Sequence, residues 1–103
     1  MQYREALRIR PGDPRIRLNL ALAYYKLGRI SDAAGEFSSL HRERPSDRQV
    51  LLLLADCWLR RGENQKVIQL LEEGAKQSPG DLAFAYLLGT ALLRDKQVER
   101  AQQ

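Results

Sequence analysis

The chain has 103 residues, 44% hydrophobic and 29% charged, with a net charge of +4, the size and balance of one globular or repeat domain. Apolar runs such as residues 50–55 fall far short of the ~20 residues that cross a membrane. A single cysteine, Cys57, excludes an internal disulfide framework and leaves the compartment open.

Residues 1–10 form a charged amphipathic stretch without the apolar centre of a signal peptide, and they read as part of a helix. Arg4, Arg8, Arg10, Arg15 and Arg17 crowd this end. That crowding fits an acidic partner or nucleic acid, and more simply a solvated, mildly basic surface. Pro11 then interrupts the chain, because proline lacks the amide hydrogen that a helix interior needs. Two residues later Asp13 is placed to cap a new helix over 14–27, with Pro14 at the first helical position, where no donor is required. Gly28 ends that helix in a left-handed turn, and a second helix is expected over 31–44.

The same punctuation then recurs. Pro45 and Pro79 follow Pro11 at intervals of 34, Asp47 and Asp81 follow Asp13, and Gly62 follows Gly28. Helices are therefore expected over 47–61, 64–78 and 81–95, with another beginning near Gln97. The third unit carries Lys96 where its siblings carry glycine. Apolar residues keep helical spacing, as in Leu20, Tyr24 and Leu27 or Leu51, Leu54 and Trp58. Ala33, Phe37 and Leu40 of one second helix match Val67, Leu71 and Gly74 of the next. Sustained alternation is absent and β-branched residues are scarce, which argues against strands.

The period, the prolines and these residues resemble the tetratricopeptide repeat. Its large first residue falls on Arg17, Leu51 or Ala85. Its Leu-Gly pair falls on Leu20-Ala21, Leu54-Ala55 and Leu88-Gly89, and its aromatic on Tyr24, Trp58 or Leu92. The alanine of the second helix is Ala33, Val67 or Ala101, and the later aromatic is Phe37 or Leu71. Tyr3 and Ala6 fit the second helix of an earlier, incomplete unit. Arg17 and Ala85 depart from the pattern. The resemblance implies an all-α fold of antiparallel helix pairs stacked as a right-handed α-solenoid of about three units. It divides one repeat domain over 1–103 into a partial unit 1–12, units 13–46 and 47–80, and a partial unit 81–103, expected as a fragment of a longer protein. Trp58 and Tyr24 are expected in the core.

In proteins similar to this one the first helices of successive units line a concave groove for an extended peptide or a partner's helix. Carried over by position, the groove holds Arg15, Leu18, Asn19, Leu22, Tyr25 and Lys26 from the first full unit. The second supplies Gln49, Leu52, Leu53, Asp56, Leu59 and Arg60. The third supplies Ala83, Tyr86, Leu87, Thr90, Leu93 and Arg94. So many leucines need a cover: a protein or peptide partner, another part of a longer chain, or a second copy making a homo-oligomer. The carboxylate clamp of chaperone-binding relatives is incomplete here. Asn19 matches one clamp asparagine, but Gln49 and Leu53 stand where its lysine and arginine belong. Helical repeats that read RNA place polar side chains at the reading positions, and leucines stand at many of them here, which argues against nucleic acid as a partner.

No catalytic, metal or cofactor site is expected. His41, with Glu43 nearby and Cys57 on another helix, lacks the orienting third group of a nucleophilic pair, and Cys57 takes a small, buried position of the pattern. One cysteine and one histidine make no metal spacing. Gly12, Gly28, Gly62 and Gly80 are turn residues rather than a phosphate loop. The function read from the sequence is a protein-interaction scaffold. Its alternative is a structural module that pairs copies through the groove or the open ends of the array.

Overall fold

The computed structural model describes residues 13–102, all of whose regular structure is helical. Five helices follow in order: α1 Pro14–Lys26, α2 Ile30–Glu43, α3 Arg48–Arg60, α4 Asn64–Gln77 and α5 Leu82–Gln102. The partial helix expected over 1–10 lies outside the described residues.

Local chemistry starts and stops these helices where the repeats place it. The Asp13 carboxylate accepts the Arg15 amide at 2.9 Å, Asp47 accepts that of Val50 at 3.2 Å, and Asp81 accepts that of Ala83 at 3.0 Å. Each satisfies a donor that the first turn leaves without a partner. Gly28 and Gly62 take φ of 79° and 77°. At the first of these turns the Gly28 and Arg29 amides donate back to the carbonyls of Tyr25 and Tyr24. Gly62 and Glu63 do the same to Leu59 and Trp58, so both first helices end in a Schellman turn that a side chain at the glycine would strain.

Each helix packs on the next in sequence, and α3 also touches α5. The stack measures 50 × 30 × 18 Å with a radius of gyration of 15.0 Å, larger than the ~13 Å of a compact domain this long, as an elongated array should be. Two apolar clusters fill it. The first joins Ala21, Ala33, Phe37, Leu40, Val50, Leu54 and Cys57, and the second joins Leu51, Ala55, Leu59, Val67, Leu71, Phe84 and Ala91. Small residues set the spacing: Ala21, Ala33 and Ala55 are fully buried. Gly74 lies so close under α3 and α5 that a Cβ there would stand 3.2 Å from Leu51 and 3.4 Å from Phe84. Trp58 and Tyr24 are half-buried rather than enclosed. Trp58 rests against both clusters with Lys66 Nζ 5.6 Å from its ring, and Tyr24 lies beneath Arg29.

One boundary differs from expectation. The helix expected over 81–95 continues without a turn to Gln102, so no new helix begins near Gln97. Lys96 explains it: at the position where Gly28 and Gly62 turn left-handed, lysine favours continued helix. Two contacts hold the extension's beginning. Arg94 donates to the Leu59 carbonyl at 3.2 Å, and Gln65 to the Asp95 carboxylate at 2.7 Å.

Candidate functional site

Stacking brings the first helices α1, α3 and α5 side by side, and six of the residues expected in a groove line one open depression of about 330 Å³ between α1 and α3. These are Leu22, Tyr25, Gln49, Leu52, Leu53 and Asp56, joined by Arg48. An adjoining depression toward the end of α1 is lined by Asn19, Leu22, Ala23, Lys26 and Leu27. The floor is apolar because Leu22, Leu52 and Leu53 pack against the clusters with one side and leave the other partly open.

A polar cluster closes one end of the first depression. Tyr25 donates its hydroxyl hydrogen to Asp56 across the helix–helix junction. Arg60 donates to Asp56 at 3.0 Å and to the Tyr25 oxygen at 3.3 Å, with its guanidinium 5.3 Å from the Tyr25 ring. The bond to Asp56 favours the protonated phenol and raises the Tyr25 pKa. At the other end, Arg48 grips Asp81 through two hydrogen bonds of 2.7 and 3.2 Å. Those bonds hold the Asp81 carboxyl below its usual range. Arg48 thus ties α3 to the cap of α5. The sequence reading missed it because its position follows the helix cap and lies outside the carried-over groove pattern; its pairing with a residue 33 positions away has no local signal.

The remaining predicted groove residues divide. Arg15 and Leu18 border a smaller recess with Leu40 and Val50, toward the α2–α3 junction. Leu59 lies in the second cluster with 6% exposure, so it is core rather than lining. Ala83, Leu87 and Thr90 remain partly open on α5, and the Thr90 hydroxyl donates to the Tyr86 carbonyl. Arg94 is engaged with the end of α3. Tyr86 and Leu93 are 74% and 61% exposed. They share a helical face with Leu82, Ala85, Gly89 and Leu92, all exposed as well.

Both nucleophile candidates favour their neutral forms. Burial pushes the Cys57 thiol up to about 11, far from a reactive thiolate. Burial also lowers the His41 pKa, and its Nδ1 has no hydrogen-bond partner. Among the described residues, no group of three histidine, cysteine or acidic side chains is placed to hold a metal ion. Among the same residues, no helix is long and apolar enough to cross a membrane.

Comparison with known proteins places the chain beside a repeat family and a solved repeat structure. A model of the tetratricopeptide repeat matches residues 2–57. The solved structure of the MamA RS-1 ArsTM double mutant superposes with a TM-score of 0.81 at 23% identity, over 95% of this chain and 55% of that one. At that identity the likeness is one of fold, and this chain spans about half the length of that protein. No curated protein matches.

Proposed function

As the chain belongs to the tetratricopeptide repeat family, we propose that it is a non-enzymatic scaffold whose concave face receives a peptide or a partner's helix. The observation that carries this reading is the depression lined by Leu22, Leu52 and Leu53 and bounded by Tyr25, Asp56 and Arg48. Its apolar floor supplies burial, at about 25 cal/mol per Å² of apolar surface removed from water. Its polar edges orient the guest, since buried polar groups on a ligand must find partners there. The Tyr25–Asp56–Arg60 bonds fix the edge before binding, which lowers the ordering cost of association. We assign units 13–46 and 47–80 as the two complete repeats that form this face, flanked by partial units 1–12 and 81–103.

A selection from a random peptide display library tests the reading. Parent protein is expected to enrich apolar sequences, and Leu53→Glu, which places a charge on the floor at a half-buried position, is expected to abolish that enrichment. Equal enrichment by parent and a folded Leu53→Glu protein would remove the groove from the proposal.

A further inference from the structure

Charge is sorted between the two kinds of helix. The second helices carry Asp32, Glu36 and Glu43 on α2 and Glu72 and Glu73 on α4. On the first helices, α1, α3 and α5 as far as Arg94, Asp56 alone is acidic among the described residues, while Lys26, Arg48, Arg60 and Arg94 are basic. Asp56 and the capping Asp81 are already held by Arg60 and Arg48. Lys26 and Arg94 have no acidic partner among the described residues. The groove side is therefore net positive, and a concave surface with apolar walls concentrates such a field. A cation near the end of a helix complements its carbonyls, which accounts for Lys26 and Arg60 at the ends of α1 and α3. It does not account for Arg48, at the opposite end of α3.

Arg48 and Arg60 stand at the two ends of the depression between α1 and α3, and each side chain is 57% exposed. Each is also anchored. Arg48 spends its Nε and Nη2 donors on Asp81, and Arg60 spends its own on Asp56 and the Tyr25 oxygen. The other donors of each planar fork stay open to a carboxylate, and the anchored fork is already ordered when the carboxylate arrives. Between them lies the floor of Leu22, Leu52 and Leu53. From Arg48 to Arg60 the helix α3 rises about 18 Å, at about 1.5 Å per residue. One carboxylate cannot meet both arginines across that distance, so a chain terminus alone does not match them. An extended segment lying along the depression covers the same distance in about five or six residues.

We infer that the occupant of this groove is an acidic segment of a partner protein, an apolar stretch with an aspartate or glutamate on each side. The inference rests on the groove reading given above and names the chemistry of its guest. The apolar stretch covers Leu22, Leu52 and Leu53, and the flanking carboxylates meet Arg48 at one end and Arg60 at the other. Exposed ion pairs add modestly to affinity, so the leucine floor supplies most of the binding and the arginines select among apolar guests. Lys26 and Arg94 add to the attraction without fixing the register of the guest.

The test uses the full 103-residue protein and three displayed peptide libraries that share one randomised apolar centre. The centre is flanked by Asp or Glu in the first library, by Asn or Gln in the second and by Lys or Arg in the third. Parent protein should enrich the acidic library about tenfold over the uncharged one, and about 0.5 M salt should erase most of that margin. Arg48→Gln and Arg60→Gln, each checked for helicity, should each reduce the margin about threefold while uncharged peptides bind as before. Arg48→Lys, which keeps the charge and loses the fork, should restore part of it. Equal enrichment of acidic and uncharged peptides, both lost in a folded Leu53→Glu protein, would overturn the acidic guest and leave the groove reading standing. A margin unchanged in both arginine variants, or preference for the basic library, would overturn the inference as well. Acidic enrichment that survives Leu53→Glu would place the contact outside the groove and overturn it too. No enrichment from any library would remove the inference together with the reading beneath it.

Discussion

At the scale of single residues, the structure turns on a few side chains whose environments fix their chemistry. Cys57 sits at zero exposure in the first cluster, and burial raises its pKa to about 11. Both effects suppress attack on an electrophile, since the thiolate is the reactive form. A soluble disulfide reagent at pH 7.5 is expected to leave Cys57 unmodified in the folded protein and to modify it at once in denaturant. Fast labelling of the native chain would show that this cluster opens. Gly74 illustrates the opposite constraint, on volume rather than charge. A methyl group there meets Leu51 at 3.2 Å, a separation that requires the leucine to yield by a few tenths of an ångström. The Tyr25–Asp56–Arg60 cluster shows a third kind of control, in which two units are joined by polar atoms at the rim of the apolar floor.

At the scale of elements, the decisive contrast is between the turns at Gly28 and Gly62 and the absence of a turn at Lys96. The two glycines hold φ near +78°, where an L side chain is strained, and their Schellman bonds satisfy the terminal carbonyls of α1 and α3. At Lys96 the lysine side chain makes continued helix the easier state, and α5 reaches 21 residues. Lys96→Gly is expected to destabilise the helix there by about 1 kcal/mol and loosen residues 97–102. Cα chemical shifts of Gln97 to Ala101 should move toward coil values. Unchanged shifts would mean that tertiary contacts such as Gln65–Asp95, rather than residue 96, hold the extension straight.

At the scale of the whole molecule, stability is shared between two clusters that meet at few side chains. Trp58 and Leu70 rest against both, so Trp58 couples the first pair of helices to the rest. Trp58→Ala is expected to cost about 3 kcal/mol, the low end for such truncations because the ring is half-buried. It should also broaden the unfolding transition, since repeat proteins hold together through nearest-neighbour interfaces. Urea unfolding followed by circular dichroism checks both; a small shift with unchanged slope would show that the units couple elsewhere. The chain's own sequence determined the period, the all-α class, the aspartate caps, the left-handed turns at Gly28 and Gly62 and most of the buried positions. Each of those depends on chemistry within a few residues, or on a pattern repeated every 34. Only tertiary structure decided that Leu59 is core, that Arg48 pairs with Asp81, that Tyr25, Asp56 and Arg60 converge, and that Trp58 stays half-open. The contacts among them join residues about one repeat apart in sequence, and burial at each depends on what the neighbouring unit places opposite. The period gives which residues are equivalent, but packing between units determines which of those equivalents are covered.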